Sequence, residues 1–166
     1  MKVISPDVII LDEIDGAAIL RKIEMCGRTC YKSENKITDS SAEQFVRNII
    51  QRGHESVLEH VSITVKFICD RGVSHEIVRH RIASYSQEST RYCNYANEQF
   101  GSEITVIKPC FLETGTMAFN EWRMACKRAE QAYFYLLKVC RCSPQEARAV
   151  LPNSLKTEVV MTANLR

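Results

Sequence analysis

The sequence predicts an α+β fold, and three observations carry that prediction. Residues 116–140 hold a long pattern of helical period, whereas 61–69 alternate apolar and other side chains with the period of a strand. Segments of the two kinds do not alternate strictly along the chain, which argues against a doubly wound sheet. The length of 166 residues and 45% apolar content suit one ordinary core without a disulfide or metal staple.

Each element follows from its own pattern. Val8-Ile9-Ile10-Leu11 reads as a buried strand. A helix then follows Asp15, with Ala18, Ile19, Ile23 and Cys26 on one face. Ser40 and Glu43 have the spacing of a capping box for the next helix. That helix turns Phe45, Ile49 and Ile50 inward and stops at Gly53. Val61, Ile63, Val65, Phe67 and Cys69 mark one face of a strand. Residues 71–81 read as a short helix opened by Ser74, and 84–94, rich in polar residues without an apolar period, as a loop. Residues 104–107 form a short strand closed by Pro109. The long helix shows an apolar stripe of Ala118, Trp122, Ala125, Ala129, Tyr133, Leu136 and Cys140. Ser143-Pro144-Gln145-Glu146 supplies an N-cap, a proline at the first helical position and a glutamate at the third. The helix it opens ends near Pro152, and 155–164 return to strand character.

Composition excludes several functions. Lysine and arginine total 22 against 20 acidic residues, a net charge of +2 that is too balanced for a general hold on nucleic acid or membrane. No apolar run approaches the ~18–20 residues that span a bilayer. The opening Met1-Lys2-Val3-Ile4-Ser5-Pro6-Asp7 is no signal peptide. A cytoplasmic protein with neither a membrane nor a nucleic-acid partner is expected. The eight cysteines then read as reduced thiols. They include no C-x-x-C pair, and His54 and His60 are six apart where the zincin pattern needs four, so no metal is expected.

Chemistry concentrates in Arg79-His80-Arg81-Ile82-Ala83-Ser84-Tyr85-Ser86-Gln87-Glu88-Ser89-Thr90-Arg91-Tyr92. The planar fork of arginine suits phosphate, and hydroxyls and loop amides add donors, so the segment reads as an anion cradle. On composition alone a solvated basic surface fits as well. Nucleic acid is a third option, although it favours basic residues spread over a face with aromatics to stack.

Arg-His-Arg followed after seven residues by serine, and continued by Arg91 and Tyr92, resembles the signature of flavin-dependent thymidylate synthases. Gly53-His54-Glu55-Ser56-Val57-Leu58-Glu59-His60 resembles the family's segment before the signature. Glu76-Ile77-Val78-Arg79 resembles the lead into it. Arg148-Ala149-Val150-Leu151-Pro152 and Thr162-Ala163-Asn164-Leu165-Arg166 resemble its C-terminal blocks. The resemblance covers nearly the whole chain and implies one family domain over 1–166, α+β with mixed helices and a largely antiparallel sheet. The implied reaction is reductive methylation of dUMP to dTMP, with carbon from methylenetetrahydrofolate and reducing equivalents from NADPH through FAD. The implied working unit is a homotetramer with shared active sites.

By position match, the resemblance implies dUMP binding by Glu76, Arg79, Gln87, Glu88, Ser89, Thr90, Arg91 and Arg148. It implies FAD binding by His54, Ser56, Arg79, His80, Arg81, Gln87, Asn164 and Arg166. Some members carry glutamate where Gln87 stands; an amide hydrogen-bonds but cannot act as a base, so a binding role is expected. Ser89 has no base at triad-like spacing, and Cys93 reads as incidental because the family forms no cysteine adduct. The family's uracil-activating arginine lies on a further helix, beyond residue 166. The domain is therefore expected to be C-terminally incomplete, with no catalytic residue named within it. The alternative is a nucleotide- and flavin-binding module without turnover.

Overall fold

The computed structural model describes residues 1–98 and 101–166. In chain order its elements are β1 (Lys2–Ile4), β2 (Asp7–Ile10), α1 (Gly16–Tyr31), α2 (Ser41–Gln51), β3 (Ser62–Asp70) and α3 (Arg71–Ile77). Then come β4 (Ala83–Gln87), β5 (Thr105–Ile107), α4 (Met117–Lys138), α5 (Pro144–Ala147) and β6 (Lys156–Asn164). A two-stranded sheet pairs β1 with β5 in parallel, Lys2 opposite Thr105 and Ile4 opposite Ile107. A four-stranded sheet runs in the order β2-β3-β6-β4. In it β3 and β6 are antiparallel: the Leu165 N–H donates to the Val61 carbonyl, while Thr64 and Thr162 meet through their hydroxyls. Mixed helices and a largely antiparallel sheet are what the sequence predicts.

The chain divides into two compact units. The first comprises Met1–Ile9, Lys66–Arg81 and Tyr85–Val160; the second comprises Ile10–Val65, Ile82–Ser84 and Met161–Arg166.

The core of the first unit is Tyr95, Ile104, Val106, Cys126, Tyr133, Ala147 and Leu155. Helix α4 starts where Thr116 accepts the Phe119 N–H, as its pattern predicts. Its buried stripe, however, is Phe119, Cys126, Glu130 and Tyr133, with Trp122 half-buried, while Ala118 and Ala125 face water. Both stripes have helical spacing; the larger side chains take the inward position because they bury more apolar area. Glu130 is tolerated inside because its carboxylate accepts the Ile104 N–H at 3.0 Å. Helix α5 has the predicted capping box, the Ser143 N–H reaching the Glu146 carboxylate at 2.8 Å.

Two local expectations for this region are corrected. Helix α3 is opened by Asp70, whose carboxylate accepts the Val73 N–H at 2.7 Å, and not by Ser74. Ser74 instead lies inside the helix, fully buried, with its hydroxyl donating to the Arg71 carbonyl. The expected loop at 84–94 contains strand β4. Its half-buried positions are Ala83, Tyr85 and Gln87 and its exposed ones Ser84 and Ser86, so the alternation is carried by residues that no apolar count detects.

In the second unit α1 packs on α2 through Ile23, Val46, Ile49, Val57 and Val61. Asp15 caps α1 by accepting the Ala18 N–H at 3.0 Å. Gly27 lets α2 approach closely, since a Cβ there would sit 2.7 Å from the Phe45 ring. The Ser40 side chain makes no cap hydrogen bond; the neighbouring Ser41 hydroxyl accepts the Thr38 N–H and lies 2.9 Å from Glu24. Ile50 is 50% exposed, and Val46 takes the inward place expected of it. Gly53 follows α2 with φ of +69°, the left-handed conformation its C-terminal position demands.

Strand β2 exists, but Val8 to Leu11 are between 39% and 57% exposed. A continuous apolar run reads as a strand covered on both faces, whereas β2 stands at the end of the sheet order with one neighbour. Strand β1, too short for any period, is unannounced by the sequence.

Candidate active site

The Arg-His-Arg segment leaves the end of α3 as a turn. The Arg79 N–H donates to the Glu76 carbonyl and the His80 N–H to that of Ile77, at 3.0 and 3.1 Å. Tyr85, on β4, fixes the turn from below, its hydroxyl within reach of the carbonyls of Ile77 and His80. Glu76, Arg79, His80 and Arg81 are all exposed. Among the described residues no ion pair involves Arg79, His80, Arg81 or Arg91. Their donors are therefore available to a diphosphate or phosphate.

The next loop is clasped at its base by Glu88. One oxygen of that carboxylate accepts the Tyr95 hydroxyl and the other the Lys156 ammonium, each at 3.0 Å. Lys156 also meets Glu158 at 2.7 Å, and Glu158 meets Lys66 at 3.2 Å. Burial opposes the charge on Lys156, but Glu158 and Glu88 outweigh it and hold its pKa above the ordinary value. Burial, reinforced by the Glu88 carboxylate, pushes the Tyr95 phenol up. The side chain of Glu88 thus faces its own protein.

The hydrogen bond from Lys156 holds Glu158 below the usual glutamate value of 4.5. A carboxylate depressed in this way contributes stability above its unfolded pKa and loses it as the pH falls through the folded one. Glu158→Gln is accordingly expected to flatten the decline in stability below about pH 4.5, read by urea unfolding at stepped pH. An acid limb of unchanged steepness would show that the ladder carries no pH-dependent stability.

Within the loop, the Ser89 Oγ accepts the Arg91 N–H at 3.3 Å, and its carbonyl accepts from Tyr92 and Cys93. Arg91 is exposed, its guanidinium 5.5 Å from the centre of the Tyr92 ring. Thr90 is only 7% exposed, and its hydroxyl accepts Nη1 of Arg148 at 3.2 Å. Arg148 is fixed again by Nε donating to the Gln145 carbonyl at 3.2 Å. A cavity of about 240 Å³ opens here, lined by Arg71, His75, Thr90, Arg148, Leu151, Asn153 and neighbours, with no carboxylate among them. Two guanidiniums, an imidazole and a hydroxyl around one small cavity are an arrangement that suits an anion.

Gln87 does not line this cavity. Its Nε2 donates to Ser74 Oγ at 2.9 Å and to Thr157 Oγ1 at 3.3 Å.

The remaining sequence-predicted residues belong to the second unit. The His54 Nδ1 lies 3.1 Å from the Tyr31 hydroxyl, beside a cavity of about 300 Å³ that Tyr31, Phe45, Asn48, Arg52 and His54 help to line. Ser56 is exposed in the 3-10 turn Glu55–His60. The Asn164 Oδ1 accepts the Arg166 N–H at 3.0 Å. The Arg166 guanidinium is engaged by the carboxylates of Glu59 and Glu55. The flavin-matched residues therefore divide, with Arg79, His80, Arg81 and Gln87 in the first unit and His54, Ser56, Asn164 and Arg166 in the second.

Comparison with known proteins decides the family. A family model described as Thymidylate synthase complementing protein matches residues 15–166. A flavin-dependent thymidylate synthase of Mycolicibacterium vanbaalenii is 36% identical over 174 residues, covering 97% of this chain and 68% of the relative. The chain belongs to the flavin-dependent thymidylate synthases. Another member, from Pyrococcus furiosus, is 34% identical over 158 residues and covers 94% of this chain, which spans 62% of it. The fold agrees with solved structures. A UMP/dUMP methylase of Streptomyces cacaoi bound with 5-Br dUMP superposes with a TM-score of 0.78 at 20% identity, over 99% of this chain and 75% of that one. The flavin-dependent thymidylate synthase of Helicobacter pylori complexed with FAD and dUMP gives 0.71 at 22% identity, over 95% and 78%.

In this flavin-dependent synthase the sequence reading missed Arg71, His75, Tyr85 and Lys156. Arg71 and His75 stand four apart on α3, so they share a helix face, and that spacing was the available signal. Nothing in the sequence announces Lys156, whose partner Glu88 is 68 residues away. Among the described residues no group of three or more His, Cys, Asp or Glu could hold a metal ion, and no helix is long and apolar enough to cross a membrane.

Proposed function

We propose that this chain methylates dUMP reductively to dTMP, taking its carbon from methylenetetrahydrofolate and its reducing equivalents from NADPH. The observation that carries the reading is the acid-free cavity of Arg71, His75, Thr90 and Arg148 beside the signature loop. The nucleotide phosphate binds there, with Ser89, Arg91 and the loop amides closing over it; Glu76, Arg79, Gln87 and the Glu88 backbone serve the rest of dUMP. The guanidiniums of Arg79 and Arg81, in no ion pair among the described residues, fit with His80 the diphosphate of FAD, and His54, Ser56, Gln87, Asn164 and Arg166 are the other flavin-matched residues. FAD, when bound, supplies the hydride. The chain's own contribution is to neutralise phosphate, orient the two ligands and exclude water. The working enzyme is a homotetramer in the cytoplasm.

No thiol takes part. All eight cysteines are free, and burial, then the Glu88 carboxylate, pushes the Cys93 thiol up, so it stays protonated at neutral pH. Cys93→Ala is expected to keep dTMP synthesis within about twofold of wild type, the usual reach of a small change with no partner lost. Abolished turnover in a folded, flavin-loaded variant would make Cys93 a participant. The function itself is tested by incubating the protein with dUMP, methylenetetrahydrofolate, NADPH and FAD and assaying dTMP. No dTMP from flavin-loaded protein would reject the reading.

A further inference from the structure

We propose that Ser74 and Thr157 are positioning residues that hold the Gln87 amide in one of its two orientations, so that it presents an acceptor and not a donor to the nucleotide. The proposal rests on the dUMP site above. Ser74 is 0% and Thr157 1% exposed, two buried hydroxyls on α3 and β6 that face the same side chain of β4. A hydroxyl has one proton to give and two lone pairs. Ser74 spends its proton on the Arg71 carbonyl at 2.9 Å, so towards residue 87 its oxygen can only accept. The partner must therefore be a donor, and the Gln87 Nε2 is the atom that lies there, at 2.9 Å. Its second proton faces Thr157 Oγ1 at 3.3 Å. With both N–H bonds directed inward, Oε1 is left as the group that reaches solvent, since it has no partner among the described residues and is not among the buried unpaired atoms. An outward acceptor selects a ligand N–H or O–H, such as a ribose hydroxyl or a pyrimidine imide. A free amide would rotate and offer its N–H₂ half of the time.

A carboxylate at 87 would be an acceptor whichever way it turned, and this symmetry provides the test. The dissociation constant of dUMP is measured by calorimetry on the flavin-loaded full chain for four proteins: wild type, Ser74→Ala/Thr157→Val, Gln87→Glu, and all three changes together. Thermal unfolding and flavin content report on folding. In the Gln87 background, removing the two hydroxyls is expected to weaken dUMP about fivefold, the worth of one ordinary hydrogen bond. In the Gln87→Glu background the same removal is not expected to weaken binding, because a carboxylate is an acceptor in either orientation and gains nothing from an accepting Ser74 oxygen. A merely structural role for the hydroxyls would lower affinity equally in both backgrounds, and that result would overturn the orienting role alone. If Ser74→Ala/Thr157→Val loses flavin or unfolds, the single Ser74→Ala variant, which removes the hydroxyl whose proton is committed, is read in the same two backgrounds. No dUMP binding by the flavin-loaded wild-type chain would overturn the nucleotide site and this proposal together.

Discussion

Replacing Arg148 by alanine is expected to weaken dUMP binding by about ten- to a hundredfold while the protein stays folded. A charge-assisted hydrogen bond is worth ~1.5–3 kcal/mol, which is ~10–150-fold in affinity. Arg148 sits at the upper part of that range because its guanidinium is half-buried and already fixed, by Thr90 and by the Gln145 carbonyl, so little entropy is lost on binding. Arg91→Ala should act in the same direction, at about tenfold, since Arg91 is exposed and leans on the Tyr92 ring, where water screens its charge. Arg148→Lys should recover only part of the loss, because an ammonium lacks the planar fork that donates from separate nitrogens to the Gln145 carbonyl, Thr90 and a phosphate. Calorimetry with dUMP at two salt concentrations separates these cases. Wild-type affinity in Arg148→Ala would move the phosphate out of the cavity.

The largest effect on stability is expected from Arg28→Ala, a loss of about 3–5 kcal/mol in denaturant unfolding. Glu24 is 1% exposed on α1, and both Nε and Nη2 of Arg28 reach its Oε1, at 2.9 and 2.8 Å. The guanidinium also lies 4.6 Å from the centre of the Phe45 ring on α2, so the side chain that pairs Glu24 within α1 also bridges the two helices. Without it a buried carboxylate keeps, among the described residues, only the Ser41 hydroxyl, at 2.9 Å. Arg28→Met/Glu24→Leu should lie much closer to wild type, because removing both charges removes the desolvation cost along with the attraction. Equal losses in the single and double variants would mean that packing, and not charge, sets the cost.

The sequence was readable where one residue decides locally. Asp15, Thr116 and Ser143 each announce a helix start that the fold uses, and Gly53 announces an end. It was unreadable where the deciding neighbour is distant. Ser40 and Ser41 are equally good caps in isolation, and Glu24, far back on α1, is what engages Ser41. The inward stripe of α4 shifts by one position because the larger side chains fill the core. Strand β4 hides because Tyr85 and Gln87 do the work of apolar residues through hydrogen bonds to α3, the turn after it and β6. The site divides in the same way. The signature named Arg79, His80, Arg81 and Arg91 as candidates, whereas the cavity lining of Arg71 and His75 needed the helix that places them beside Arg148.

The two units are interleaved along the chain, and this governs how the protein can be made. Strand β1 has no partner until Thr105–Ile107 appear, so Lys2 waits about 5–20 s during synthesis at ~5–20 residues per second. Helices α1 and α2 are near neighbours in sequence and can pair early, yet their unit is completed only when Leu165 reaches Val61. Contacts of such long sequence separation slow folding, because the entropy of closing the loop is lost before the pairing rewards it. Strand β2 finds its neighbour β3 early, whereas β6, which lies between β3 and β4, is made last, so one edge of β3 stays open to unwanted pairing in the growing chain. Cutting the gene between the units would fail for the same reason: neither unit is one continuous stretch, and each half would carry fragments of both.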